Sequence, residues 1–262
     1  MPSNYSLYRN TSVSNVKRYL LIVVVLLSAV GVWLLIERPI PLAVDVLSGQ
    51  SILVVDDTRR FTVVVPQNLS PNSPLVLAFH GTGDTPETMA AYSQLDTLAA
   101  LHGFVLVYPA VADSNWDTRS APADSTNSDL LFIDHLLPNL INQYKLNPRR
   151  VYAIGMSHGA TFAQLLAATR SSQIAAVVAH SGTPPQIDSL PTYTSPTLLI
   201  IGDDDPAYDS VIHHATKSKL PYISVPGPAH EWSIHHNNDI WQFLSGHTTQ
   251  SGKSSTTQNV TE

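Results

Sequence analysis

Five residues, Gly155-Met156-Ser157-His158-Gly159, join a strand-like run to a helix-like run. The run before them, residues 151–154, is short and rich in β-branched and aromatic side chains, and the run from Ala160 to Thr169 has the composition of a helix. Glycine lets the two backbones approach closely, because it carries no Cβ atom. The spacing is typical of a nucleophile elbow, in which a sharp turn holds a reactive serine above a sheet edge. The pattern is short, so partners elsewhere in the chain must support it.

The remainder of the chain alternates short apolar strands with helical runs, after a hairpin predicted at residues 51–55 and 61–65. Further strands are predicted at residues 75–79, 104–108, 151–154, 175–179, 197–201 and 222–225, and helices at 86–101, 128–144, 160–169 and 238–244. This alternation predicts an α/β domain whose mostly parallel sheet is covered by helices on both faces. Ligands bind such sheets at the carboxyl ends of the strands.

Residues 19–36 form an unbroken run of apolar and small side chains. The run is long enough to span a hydrocarbon core of ~30 Å as a helix. Because Lys17 and Arg18 precede it, the amino terminus is expected in the cytoplasm and the rest of the chain outside. The alternative is a cleaved signal peptide with a secreted domain, although the apolar core of such a peptide is usually ~7–15 residues long.

This organisation divides the chain into five segments: a cytoplasmic segment at 1–18, a signal anchor at 19–36, a tether at 37–50, a catalytic domain at 51–246 and a disordered polar tail at 247–262.

Composition narrows the chemistry that this domain can perform. The formal net charge of −6 gives no reason to expect nucleic acid as a partner. The absence of cysteine excludes thiolate nucleophiles, disulfides and cysteine-based zinc sites. The paired histidines at 213–214 and 235–236 lack the helical spacing, with a glutamate, of zinc proteases. We therefore expect neither a metal nor another cofactor.

A serine hydroxyl needs a base, and the base needs an orienting carboxylate. After a nucleophile elbow these partners follow in the order acid, then histidine. The turn that follows the strand at 197–201 offers Asp203, Asp204 and Asp205. We favour Asp205, because a residue a few positions past the strand can reach back over the sheet. Asp203 and Asp204 are alternatively turn-capping or solvated acids.

The base is predicted to be His230, in the rigid loop at residues 226–232 that precedes the last helix. His235 and His236 are the competing candidates, but they stand at the start of that helix, where polar residues commonly serve as caps or lie on the surface.

An oxyanion needs two backbone N–H donors. We predict them at His158, which follows the nucleophile, and at Thr82, in the loop after the strand at 75–79. Trp116 and Trp232 are the candidates for lining a substrate pocket, since Trp232 lies close to the proposed base and Trp116 lies in a polar loop.

Several stretches of the chain resemble the same known family. They are His80-Gly81, residues 95–96, 103–109 and 129–134, residues 148–152 together with the elbow that follows them, and residues 227–232. The chain resembles, over roughly residues 61–244, the esterase family of polyhydroxybutyrate depolymerases and feruloyl or acetylxylan esterases. The resemblance implies an α/β-hydrolase fold, hydrolysis of carboxylic esters, and a triad of Ser157, Asp205 and His230. The short segment between Ser181 and Pro196 leaves room for little or no lid. Family members often have asparagine and two glycines after the serine, where this chain has His158-Gly159-Ala160.

The sequence therefore predicts a membrane-anchored, extracytoplasmic serine esterase that acts on small or oligomeric esters through an acyl-enzyme. Its expected partners are the ester and the membrane. The alternatives are a serine peptidase or acyltransferase on the same fold, and a non-catalytic cell-envelope binding protein that retains the fold.

Overall fold

The structure is a computed structural model, and it describes residues 43–55, 57–119, 127–186, 195–227 and 229–249. These residues belong to one of two units into which the chain divides, Leu42–Glu262. The predicted anchor at residues 19–36 lies outside the described residues. Among the helices that are described, none combines the length and the apolar character needed to cross a membrane.

Eight strands form one sheet in the order β1-β2-β4-β3-β5-β6-β7-β8. Their bounds are Val44–Val54 (β1), Asp57–Pro66 (β2), Leu75–Phe79 (β3), Val105–Pro109 (β4), Val151–Met156 (β5), Ala176–His180 (β6), Thr197–Gly202 (β7) and Tyr222–Val225 (β8). The first two strands pair antiparallel, β2 pairs antiparallel with β4, and every other pair is parallel. The predicted mostly parallel sheet is thus confirmed.

Six described helices cover the sheet: Pro86–Ser93 (α1), Leu95–His102 (α2), Ser128–Tyr144 (α3), His158–Thr169 (α4), Tyr208–Ser218 (α5) and Asn237–Ser245 (α6). The strands supply apolar side chains to both faces, because successive residues point in opposite directions. In β3, for example, Leu77 packs towards α3 and α4, while Val76 packs towards α1, α2 and α6. Helix α5 covers β6 and β7 on the same side as α4. Helices on both faces are the arrangement predicted from the alternation.

The amino-terminal strand begins earlier than the sequence predicts. Residues 44–50, assigned above to the tether, belong to β1 and pair with β2. The side chains of β1 are mostly exposed, because the strand forms the edge of the sheet, so no apolar pattern marks it. Its register also shifts between Leu47 and Gln50. The folded domain therefore starts before residue 51.

The helix predicted at residues 86–101 is two helices. Gln94 lies between them in the left-handed region, with φ of 53°, and its N–H donates to Ala90 O to close α1. Helix α3, in contrast, continues through Pro138 as one helix.

The first residues of the predicted polar tail are attached to the domain. Tyr152 Oη donates to His247 O at 2.9 Å, and Arg149 Nε donates to Thr249 O at 3.1 Å. The rest of the tail, and residues 187–194 of the segment expected to be too short for a lid, lie outside the described residues.

Candidate active site

Ser157 occupies a strained turn between β5 and α4. Its φ of 55° and ψ of −120° are unusual for a residue with a side chain, and its N–H donates to His180 O at 2.9 Å. A Cβ atom on Gly155 would collide with the backbone of Gly159, and one on Gly159 would collide with Phe79 O. The two glycines are therefore required by the close approach of β5, α4 and β3, as the sequence pattern indicates.

Two hydrogen bonds connect Asp205, His230 and Ser157. Asp205 Oδ2 lies 2.8 Å from His230 Nδ1, and His230 Nε2 lies 2.8 Å from Ser157 Oγ. The carboxylate accepts, so Nδ1 carries the proton and Nε2 is free to accept from the serine hydroxyl. Asp205 is buried and its second oxygen accepts from Ala207 N at 2.8 Å, which fixes its orientation. The side chains of Asp205, His230 and Ser157 thus form one hydrogen-bonded series.

The competing candidates lie elsewhere. Asp203 is exposed, and its Oδ1 accepts from Gly227 N at 2.7 Å. Asp204 is also exposed. His236 pairs with Asp239 Oδ2 at 2.7 Å, in the short 3₁₀ turn before α6 that also contains His235. The structure therefore places the favoured acid and base beside Ser157, and gives these four residues other surroundings.

The proposed oxyanion donors flank the serine. His158 is the first residue of α4, where backbone N–H groups have no acceptor within the helix. Thr82 follows the end of β3, and its hydroxyl donates to Asn115 Oδ1 at 2.7 Å. The His158 side chain turns to Thr118, with Nε2 3.2 Å from Oγ1. Burial, followed by the positive charge of Arg119, lowers the pKa of this imidazole.

A cleft of about 620 Å³ opens beside Ser157. It is lined by Gly81, Thr82, Asp84, Tyr92, Met156, Ser157, His230, Glu231 and Trp232. The rings of Tyr92 and Trp232 are 6.4 Å apart and form one aromatic surface. Burial and the adjacent Asp84 raise the pKa of Tyr92, so the phenol stays neutral and donates to Asp84 Oδ2 at 3.4 Å. The cleft combines an apolar surface with a few polar groups, as small-molecule sites usually do.

Trp232 lines this cleft, whereas Trp116 borders a neighbouring cavity that also contains Thr82 and His158. Trp116 is only 2% exposed, its ring packs against Phe79 and Phe162, and its Nε1 donates to His80 O at 2.9 Å. The indole fills the core with its N–H satisfied, so it does not line the cleft that contains Ser157. Its position in a polar loop gave no sign of this burial.

Sequence reasoning missed His180, which ends β6 beside the candidate site. Its Nε2 accepts from Ser233 N at 3.1 Å, and its ring stacks on Trp232 at 4.8 Å. Burial, with the nearby His236 contributing next, lowers the pKa of His180 to about 3. A histidine directly after a predicted strand was the available signal.

No metal site is evident in this region. Across the described ranges, no cluster of three or more histidine or carboxylate side chains is arranged to hold a metal ion.

Comparison with known proteins gives matches to esterases. Residues 61–185 match the family model Esterase PHB depolymerase. Acetylxylan esterase A of Emericella nidulans is 31% identical over 128 residues, which are 47% of this chain and 42% of that protein. The putative esterase NocK of Nocardia uniformis is 29% identical over 174 residues, which are 63% of this chain and 51% of that protein. The matched part thus spans about half, or less, of these relatives.

Solved structures show the same fold at low sequence identity. The acetyl xylan esterase of Aspergillus awamori superposes with a TM-score of 0.62 at 17% identity, over 77% of this chain and 99% of that one. The S-formylglutathione hydrolase of Agrobacterium tumefaciens gives a TM-score of 0.62 at 14% identity, over 80% of this chain and 98% of that one. The resemblance to the polyhydroxybutyrate depolymerase esterases is confirmed over the matched residues 61–185, and the chain has an α/β-hydrolase-like fold.

Proposed function

We propose that this protein is a serine esterase that hydrolyses small or oligomeric carboxylic esters through an acyl-enzyme. The observation that carries the proposal is the continuous hydrogen-bonded connection from Asp205 through His230 to Ser157, at 2.8 Å for each step. The esterase names of the matched family and relatives support the same reaction class.

In the proposed mechanism, Ser157 Oγ attacks the ester carbonyl while His230 Nε2 takes the hydroxyl proton. Asp205 holds the imidazole and stabilises its positive charge. The N–H groups of His158 and Thr82 stabilise the oxyanion, a contribution that is worth ~2.7–4 kcal/mol per donor in such sites. The imidazolium then gives its proton to the departing alkoxide, and the alcohol leaves.

Water completes the cycle. His230 Nε2 removes a proton from the water as its oxygen attacks the acyl carbonyl, and the second oxyanion forms at the same donors. Collapse returns the proton to Ser157 Oγ and releases the carboxylic acid. Each proton therefore passes through one ring nitrogen, which the structure holds 2.8 Å from the serine.

The ester should have an apolar or flat portion next to the reacting carbonyl. Tyr92 and Trp232 provide an aromatic surface in the cleft, and the open cleft of about 620 Å³ admits a small ester or the end of an oligomer. Relatives with the names acetylxylan esterase and feruloyl esterase support small acyl groups, from acetyl to feruloyl, for the present chain.

The reaction is tested with the full-length chain in detergent and a Ser157→Ala variant. We expect the wild type to hydrolyse short-chain aryl esters and to be labelled by a fluorophosphonate, and the variant to do neither. If both proteins are equally inert and unlabelled, the esterase proposal fails. Adding a primary alcohol or a peptide substrate separates hydrolysis from acyl transfer and from peptidase activity, since each gives a different product.

For the location, we propose that residues 19–36 anchor the protein in the membrane and that the catalytic domain is extracytoplasmic. The length of the apolar run and the preceding Lys17 and Arg18 support this topology. The protein should remain with membranes after a carbonate wash and keep its amino-terminal residues. A mature protein that begins near Glu37 would instead identify a cleaved signal peptide.

A further inference from the structure

His180 is hydrogen bonded to the backbone of the turn that carries Ser157 and to the backbone of the loop that carries His230. Its carbonyl oxygen accepts from Ser157 N at 2.9 Å, next to the nucleophile. Its imidazole Nε2 accepts from Ser233 N at 3.1 Å, three positions after the base His230. His180 is therefore hydrogen bonded to the turn that presents the serine and to the loop that presents the histidine.

These contacts fix the protonation of the ring. A backbone N–H can only donate, so Nε2 of His180 is the unprotonated nitrogen. The proton of the neutral ring is consequently on Nδ1, which lies 3.1 Å from Ser181 Oγ. The ring is 1% exposed, so water does not compete for either nitrogen.

The ring also supports the loop through Trp232. The two rings stack with centroids 4.8 Å apart and an interplanar angle of 20°. Trp232 Nε1 in turn donates to Asn237 Oδ1 at 3.0 Å, and Asn237 Nδ2 donates to Ser93 O at 2.8 Å. Both residues that immediately precede the 3₁₀ turn are thus tied to the body of the domain.

His230 itself has little support of this kind. Its side chain is 44% exposed, and its ring nitrogens bond only to Asp205 and Ser157 within the described residues. The described neighbours of His230 in this loop, Pro226, Gly227, Ala229 and Glu231, are also exposed. The position of the base therefore depends on what holds the residues after it.

We propose that His180 is a positioning residue that holds the 230–233 loop against β6, so that His230 Nε2 stays within hydrogen-bond distance of Ser157 Oγ. This inference rests on the proposed esterase function. His180 acts through the loop and touches neither the ester nor the reacting atoms.

The first test compares two replacements of His180 in the full-length protein. His180→Phe keeps a flat ring for the stack with Trp232 but removes the acceptor, whereas His180→Gln supplies an amide oxygen that can accept from Ser233 N. We expect His180→Phe to lower kcat by about 10–100-fold at nearly constant KM, since displacement of a catalytic group by ~1 Å has effects of this size. His180→Gln should recover most of that loss.

The second test removes the donor and leaves His180 in place. Ser233→Pro deletes the N–H at a residue whose φ of −95° is close to the range of proline, and Ser233→Ala keeps the N–H as the matched control. The proline variant should resemble His180→Phe and the alanine variant the wild type. The double variant should lose no more kcat than the worse single variant, because both remove the same hydrogen bond.

A purely structural role predicts a different result. The proposal is overturned if His180→Phe and His180→Gln lose kcat equally, in proportion to their loss of Tm, or if Ser233→Pro behaves as Ser233→Ala. It is also overturned if ¹⁵N NMR shows a protonated Nε2 on His180 at neutral pH. The NMR result does not depend on turnover, so it tests this inference even if the wild type is inactive. An inactive wild type would instead contradict the proposed esterase function.

Discussion

The proposed nucleophile and the proposed base of the candidate site are held in two different ways. Ser157 lies between two buried elements: all of β5 is buried, and most of α4 is buried as well. His230 lies in an exposed loop, which is held by hydrogen bonds to the side chains of Asp205 and His180. The serine is therefore positioned by main-chain packing and the histidine by polar contacts.

This difference predicts different consequences of mutation. A side chain added at a glycine of the elbow must displace a neighbouring backbone segment, so it should lower the stability of the fold. A change at the loop should leave the fold intact and alter the rate. The following predictions test that distinction.

The largest expected effect is on rate alone. Asp205→Asn should lower kcat by roughly 10⁴-fold with Tm nearly unchanged, because the amide cannot hold the imidazole in the correct tautomer or stabilise its charge. Asp203→Asn is the matched control, since the exposed Asp203 carboxylate contacts Gly227 N rather than His230. A large loss in the control, with an active Asp205→Asn, would reassign the acid and contradict the proposed triad.

Gly159→Ala should act on stability. Its Cβ atom would collide with the carbonyls of Phe79 and His80, and neither is a side-chain end that can move aside. We expect the free energy of unfolding to fall by more than about 3 kcal/mol, as measured by chemical denaturation. A variant that unfolds as the wild type does would show that β3 and α4 are not in the close contact described.

The buried His180 should make stability dependent on pH. Its pKa is lowered to about 3 in the folded protein, mainly by burial, with His236, Asp205 and His230 as the facing charged groups. Below about pH 6.5, this imidazole binds a proton in the unfolded chain but remains neutral in the folded chain. Stability therefore falls as pH decreases from about 6.5 towards 3, by about 1.4 kcal/mol per pH unit from this group.

Denaturation at pH 6 and pH 4.5 measures that slope. Both His180→Gln and His180→Phe should show a shallower pH dependence than the wild type, by about 2 kcal/mol over this interval. Equal slopes in all three proteins would mean that His180 does not stay neutral in the fold.

The smallest effect is expected at the glycine of the exposed loop. Gly227 has φ of +90°, but no atom lies within 4 Å of the position that a Cβ atom would take. Gly227→Ala should therefore cost only about 1 kcal/mol of backbone strain. Its unfolding curve, measured beside that of Gly159→Ala, gives the direct comparison of loop and elbow. Equal losses would remove the distinction between them.

The sequence was most informative where chemistry and backbone geometry coincide. Ser157, Asp205 and His230 each follow a predicted strand, and parallel strands bring their carboxyl ends to one edge of the sheet. The glycines of the elbow were predictable for the same reason, because a close backbone approach excludes a Cβ atom. The fold class followed from the alternation of elements.

The features that the sequence did not predict depend on contacts between residues that are distant in the chain. Trp116 was a candidate for lining the substrate pocket, but its indole packs with Phe79 and Phe162 and borders a neighbouring cavity rather than the cleft beside Ser157. The start of β1 was missed because an edge strand buries little. His180 directly follows a predicted strand, but its contact with Ser233, which is distant in sequence, could not be read from that position alone.

The short segment at residues 247–249 lies at the opposite end of β5 from Ser157. It is fixed to Arg149 and Tyr152, near the start of β5, whereas Ser157 follows the end of that strand. At ~3.3 Å per residue, Tyr152 and Ser157 are about 16 Å apart along the sheet. A protein immobilised on a support through a linker added after Thr249 should therefore keep its cleft facing the solution.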